Sequence, residues 1–148
     1  MSTVDVFVSF DVEHDTDLYE LLLEQSRAPG SGFTICDCSE LSTAACLDTE
    51  SLRRRIREVD QVILICGEHT EESASVSAEL AIAQEEETHY FLLWGRRESM
   101  CTKPRGAKTA EGMYGWTRQV LRDQMAVKSR KEAADAAAAA VRHAHPKR

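Results

Sequence analysis

The feature that most constrains the fold is an unbroken apolar run, Val62–Cys66, followed by a polar loop and then by a helix-like stretch. Because every residue of the run is apolar, neither face of this strand suits contact with water, which is typical of a parallel sheet covered on both sides. The loop Gly67–Glu72 follows the carboxyl end of the strand, the edge at which open α/β sheets bind ligands. The sequence therefore predicts a parallel sheet and the edge of it that would hold a site.

The stretch after this loop has apolar residues at helical spacing and one carboxylate beside them. Val76, Leu80 and Ala83 fall at i, i+4 and i+7, so they mark the buried face of a helix. Glu79 lies one step off this face, on the same side of the helix as Ser75 four residues earlier. We expect a carboxylate in this position to be partly removed from water and directed at the crevice beside the sheet.

Further strand-like and helix-like stretches alternate along the chain, which predicts an α/β domain with right-handed crossovers. Their number and order favour a flavodoxin-like three-layer sandwich around a central parallel sheet. A fifth strand is not evident. The remaining predicted elements are a strand-like run from Val4 that ends at Asp11, a helix with Leu18, Leu21, Leu22 and Gln25 at helical spacing, a strand at Phe33–Cys36, a basic helix ending near Val59, a strand at His89–Trp94 and a helix over Tyr114–Val127.

Length and charge narrow the class of protein. A chain of 148 residues is long enough for one domain with a substantial core, and its net charge of −7 makes it a poor binder of nucleic acid. No apolar run approaches the roughly 20 residues that span a bilayer, and the acidic, strand-like start does not have the pattern of a signal peptide. We therefore expect a cytoplasmic protein with neither nucleic-acid nor membrane partners.

The end of the chain differs in composition from the rest. From Ala126 to Arg148 there are six Lys or Arg residues and two Asp or Glu residues, together with a run of alanines. Alanine favours helix, but this segment has almost nothing to bury. We predict a domain over 1–127 and an exposed, Ala-rich basic tail over 128–148, with a basic docking arm as the alternative role for the tail.

Several kinds of site are not expected. No G-x-G-x-x-G follows the first strand and no phosphate-binding G-x-x-x-x-G-K-[ST] is present, which argues against the corresponding nucleotide sites. The five cysteines are an odd number without the spacing of a disulfide scaffold. Cys36-Asp-Cys38 lacks a second Cys or His pair at the spacing of a metal finger, so we predict no metal site.

Several segments in order suggest a family. The opening strand Asp5–Ser9 reads D-V-F-V-S, and an arginine-rich helix leads into a D-x-V-I-L-I strand that begins at Asp60. The loop over 10–15 and the segment Gly67–Thr70 follow the carboxyl ends of these two strands. Together they resemble the TIR-like domain of the Thoeris anti-phage defence systems. The resemblance covers roughly residues 4–125 and leaves the tail unmatched.

The resemblance implies an enzyme that consumes NAD as its substrate, without a further cofactor. Enzymatic TIR domains cleave the nicotinamide–ribose bond, and Thoeris-type members make a cyclic or modified ADP-ribose signal that activates a partner effector. The position that matches the family's essential glutamate is Glu79. Phe10 and Asp11 fall in the loop that lines the NAD pocket of the family, and Ser75 matches a pocket position where animal TIR enzymes carry Trp. Self-association and a phage-derived trigger are further partners that the resemblance implies.

Cleavage of the nicotinamide–ribose bond requires only one carboxylate. Nicotinamide in NAD is a cationic pyridinium that leaves as a neutral molecule, so the barrier is formation of an oxocarbenium-like ribose. A fixed carboxylate such as Glu79 can stabilise that cation in a site partly emptied of water. His69 is a second candidate from its own chemistry, as a loop imidazole that contacts substrate or transfers a proton. The plainer interpretations are an exposed helix glutamate and a polar loop histidine.

Two other functions remain open at this point. A TIR module that only assembles with partners would have the same fold without catalysis. A nucleoside deoxyribosyltransferase also uses a helix glutamate on a related topology, but it would need a glycine-rich approach to that residue. The segment Ser73–Val76 contains no glycine, so this alternative is less favoured.

Overall fold

The computed structural model describes residues 4–35, 49–108 and 111–125. The strands are β1 (Val4–Ser9), β2 (Phe33–Ile35), β3 (Gln61–Cys66), β4 (Tyr90–Trp94) and β5 (Met113–Gly115). The helices in these ranges are α1 (Thr16–Arg27), α2 (Thr49–Glu58), α3 (Ala74–Glu85) and α4 over 118–125, and Thr70–Glu72 forms a 3₁₀ turn.

The described strands form one sheet in the order β2-β1-β3-β4-β5, and every pair in it is parallel. This is the flavodoxin-like strand order, in which the chain direction across the sheet reverses between β1 and β3. The register sets Ser9 of β1 opposite Leu64 of β3. The predicted α/β sandwich is confirmed, and its switch point lies where β1 and β3 end.

The two faces of the sheet are covered by different helices, because successive side chains of a strand point to opposite faces. Every residue of β3 is buried, as the unbroken apolar run predicted. One core cluster joins α1 and α4 to Val6, Val8, Ile63, Ile65, Phe91 and Leu93. The other joins α2 and α3 to Phe7, Val62, Leu64, Cys66 and Leu92. The predicted buried stripe of α3 is confirmed, since Val76, Leu80 and Ala83 are all 0% exposed.

The structure corrects the sequence interpretation in two places. A fifth strand is present at Met113–Gly115, and α4 begins at 118 and not at Tyr114. The strand escaped prediction because its three residues are mostly exposed and are defined by pairing with β4 alone. Trp116 precedes α4, and its Nε1 donates to Gln25 Oε1 at 2.8 Å, which ties this segment to α1. On α1 itself Leu18 and Leu22 are buried, whereas Leu21 is 45% exposed.

Some predictions fall on residues outside the described ranges. Cys36 and Cys38 are among them, as is the Ala-rich tail over 128–148, so the boundary between domain and tail stays a prediction. Within the described ranges, no helix is long and apolar enough to cross a bilayer.

Candidate functional site

A cleft of about 370 Å³ opens beside the carboxyl ends of β1 and β3. It is lined by residues 11–14 of the loop after β1, by His69 of the loop after β3, and by residues 72–75 at the start of α3. This is the edge of the sheet at which the sequence predicted a site, and it lies at the topological switch point.

Glu79 projects from α3 toward the end of β1. The Ser9 hydroxyl, 0% exposed, donates to Glu79 Oε1 at 2.5 Å. Burial raises the pKa of the Glu79 carboxyl from 4.5 to about 7, and the hydrogen bond from Ser9 opposes that rise. Glu79 is half-buried, and a carboxylate that has lost part of its water and accepts from a neutral donor is available to stabilise a positive charge.

The start of α3 sets Ser75 in the cleft wall. Ser73 caps the helix by accepting a hydrogen bond from the Val76 N–H at 3.3 Å, as serine does at this position. The Ser73 and Ser75 hydroxyls lie 3.2 Å apart. Ser75 lines the cleft and lies one helical turn before Glu79, on the same side of α3.

The opposite wall holds a carboxylate and two imidazoles. Asp11 is 6% exposed, and its Oδ1 accepts from the Glu13 N–H at 3.0 Å. Its Oδ2 accepts from His14 Nδ1 at 2.7 Å, and this hydrogen bond raises the pKa of His14. The His14 and His69 rings stack with centroids 4.1 Å apart. No group of three or more metal-ligating side chains occurs in the part of the chain that the structure describes.

Arg96, on the loop after β4, holds the His14 loop in place. Its Nη2 donates to the His14 carbonyl oxygen at 2.9 Å, to Asp15 Oδ1 at 3.1 Å and to Asp17 Oδ1 at 2.9 Å. Asp15 is 1% exposed and occupies the N-cap position of α1, yet its side chain makes no capping hydrogen bond. Burial raises the pKa of Asp15, and Arg96 opposes that rise.

Asp15 also explains why glycine begins the loop after β3. Asp15 Oδ2 is buried and makes no hydrogen bond to any described residue. A Cβ on Gly67 would lie 2.4 Å from this oxygen, so only glycine allows the two loops to approach this closely. Gly67 N–H in turn donates to Thr70 Oγ1 at 2.7 Å, which shapes the turn that carries His69.

The structure brings together most of the predicted site residues. Asp11, His69 and Ser75 line the cleft, and Glu79 lies behind Ser75 without being part of the lining. Phe10 turns away from the cleft and stacks on Tyr19 of α1, with ring centroids 4.6 Å apart. The roles of all five in binding or catalysis stay predictions.

Sequence reasoning missed three residues of this arrangement, namely Ser9, His14 and Arg96. Ser9 could have been found, because it is the polar residue that ends an otherwise buried apolar strand. Arg96 gave no signal, since its partner Asp15 lies 81 residues away in the sequence. A larger cavity of about 420 Å³ borders Trp94 and Trp116 on another part of the surface, but no carboxylate lines it.

A family model described as "Thoeris protein ThsB, TIR-like domain" matches residues 7–95, which is more than half of the chain. The matched segment runs from β1 through Gly95 and contains the cleft and Glu79. A search of curated proteins gave no significant match. The chain therefore belongs to the family of TIR-like domains represented by the Thoeris defence protein ThsB.

Proposed function

We propose that this protein cleaves the bond between nicotinamide and ribose in NAD and passes the ADP-ribosyl unit to an acceptor, as a signal in anti-phage defence. The observation that carries the proposal is the half-buried carboxyl group of Glu79, which accepts a hydrogen bond from the fully buried Ser9 at the switch point of the sheet. Membership in the Thoeris TIR-like family supports the defence role.

Cleavage of the nicotinamide–ribose bond needs one carboxylate in a site from which most water is excluded. The C1′–N bond of NAD breaks, the electron pair stays with nicotinamide, and nicotinamide leaves as a neutral molecule. The positive charge left on the ribose is stabilised by the ionised form of Glu79, and this interaction is strong because little water surrounds the group. With a pKa of about 7, Glu79 reaches its ionised form at neutral to mildly basic pH.

Substrate would enter through the cleft. The lining offers Ser75, His69 and Asp11 as binding residues for NAD, and Ser75 lies one helical turn before Glu79. The product would be a cyclic or otherwise modified ADP-ribose that a partner effector recognises. Self-association and a phage-derived trigger belong to the same proposal.

The test is release of nicotinamide from NAD by the purified full chain, with the products identified by mass. Glu79→Gln should abolish release, whereas Glu58→Gln, which alters an exposed helix glutamate of α2, should not. A chain that only assembles with partners would release no nicotinamide. Transfer of a deoxyribosyl group between bases, with NAD left intact, would identify a deoxyribosyltransferase instead.

A further inference from the structure

The proposed reaction releases a proton that Glu79 is poorly placed to take. When a hydroxyl acceptor attacks C1′, its O–H proton must leave, because nicotinamide departs with only the electron pair of the broken bond. Glu79 lies behind the cleft wall against Ser9, and its ionised form is needed to balance the ribose cation. A base on the open side of the cleft would complete the reaction.

His14 has the geometry of such a base. Its Nδ1 is held by Asp11 Oδ2 at 2.7 Å, so the other ring nitrogen, Nε2, is the one left for an incoming group. The imidazole lines the cleft and its side chain is 44% exposed, while the Asp11 side chain is only 9% exposed. A buried carboxylate that orients a more open imidazole is a general arrangement for proton transfer.

We infer that His14, oriented by Asp11, is the general base that accepts the proton of the hydroxyl acceptor; this rests on the proposed cleavage of NAD. The C1′–N bond breaks and nicotinamide takes the electron pair. The acceptor oxygen, of water or of an alcohol, forms the C1′–O bond, and its proton passes to His14 Nε2. The imidazolium, balanced by Asp11, then returns the proton to solvent.

The groups around His14 favour its protonated form, yet they still allow the imidazole to release the proton after each reaction. The hydrogen bond that His14 Nδ1 donates to Asp11 raises the pKa of His14 above 6.5, and desolvation partly offsets this rise. The His69 ring lies on the same wall and stacks on His14, with ring centroids 4.1 Å apart. The charged or titratable groups that face His14 are Asp11, Glu13 and Asp15 of its own loop, the stacked His69, Glu72 at the start of α3, and Arg96 at its carbonyl oxygen.

Arg96 and Asp15 are positioning residues for this base. Arg96 donates to the His14 carbonyl oxygen and to Asp15 Oδ1, so it anchors the backbone of the loop that carries the imidazole. Neither Arg96 nor Asp15 lines the cleft that substrate would occupy.

The experiment separates bond cleavage from proton removal. Exchange of deuterium-labelled nicotinamide into NAD requires the C1′–N bond to break and re-form but needs no acceptor proton to be removed. Transfer to water or to added methanol needs both steps. The full-length wild type, His14→Ala and Glu79→Gln are compared in both reactions, and His14→Ala is also assayed with added imidazole.

We expect His14→Ala to lower the ratio of transfer to exchange by about 10²- to 10⁴-fold, with imidazole restoring it. The wild-type ratio should rise with pH through the raised pKa of His14, because only neutral imidazole accepts a proton, and this dependence should vanish in the variant. If the ratio of transfer to exchange in His14→Ala equalled that of the wild type, whether or not both rates fell, the role of His14 would be overturned. The proposed cleavage of NAD would still stand. Absence of both reactions in the wild type would overturn NAD cleavage and the inference with it.

Discussion

Replacing Glu79 by Gln should stabilise the folded protein at basic pH. Burial raises the pKa of this carboxyl from 4.5 to about 7, so the folded state binds the proton more tightly than the unfolded state does between those two values. The free energy of unfolding therefore falls as the pH rises through this window, and the loss is complete above the folded pKa. Glutamine stays neutral throughout and can still accept the hydrogen bond from Ser9.

The size of the effect follows from the same shift. The difference between 4.5 and about 7 corresponds to about 3 kcal/mol when the group is fully ionised. Glu79 is only partly enclosed when its whole surface is counted, so solvent screening reduces this figure, and we expect about 2 kcal/mol. The gain should be largest at about pH 8.5 and small at about pH 5, where the folded wild type carries a neutral carboxyl group.

Urea unfolding of the wild type and Glu79→Gln at the two pH values measures this difference. The exposed Glu58→Gln on α2 is the matched control, and it should change stability by less than about 0.5 kcal/mol at both. If Glu79→Gln shifted the free energy of unfolding equally at the two pH values, or destabilised the protein at about pH 8.5, it would refute the claim that ionised Glu79 destabilises the folded state.

Three further substitutions test neighbouring contacts. Ser9→Ala removes the hydrogen bond that lowers the pKa of Glu79, so the pH midpoint of nicotinamide release should move upward; an unchanged pH–rate profile would contradict this. Gly67→Ala forces a methyl group to within 2.4 Å of Asp15 and should destabilise by about 1–3 kcal/mol in urea unfolding, so an unaltered midpoint would argue against the contact. Arg96→Ala leaves the buried Asp15 carboxylate without its cation and should cost about 2 kcal/mol at neutral pH; wild-type stability in thermal unfolding would count against the ion pair.

The parts of the fold that the sequence predicted are those that bury continuous apolar surface. β3 and the stripe of α3 are defined by their own residues, because a strand covered on both faces and a helix with one covered face have distinct periods. β5 is defined by its partner instead. Its three residues pair with Leu92, Leu93 and Trp94 of β4, and nothing in their own pattern distinguishes them from a loop.

The site likewise contains residues that local sequence could predict and contacts that depend on distant partners. Glu79 could be predicted because helical spacing placed it beside a buried stripe, and the residues of the two loops could be predicted because each follows a strand. Its contact with Ser9 joins residues 70 positions apart, so it depends on the β1–β3 pairing and on the angle at which α3 packs. The contact between Asp15 and Arg96 could not be predicted either, because local sequence does not reveal a partner 81 residues away.

The proposed role of the Glu79 carboxylate in cleavage of NAD is tested by nicotinamide release followed across pH for the wild type and Glu79→Gln. We expect release by the wild type to rise as the pH passes through about 7, together with an ADP-ribose product detected by mass, and no release by the variant. Release by Glu79→Gln at the wild-type rate, or a wild-type rate that does not change through this range, would contradict this role.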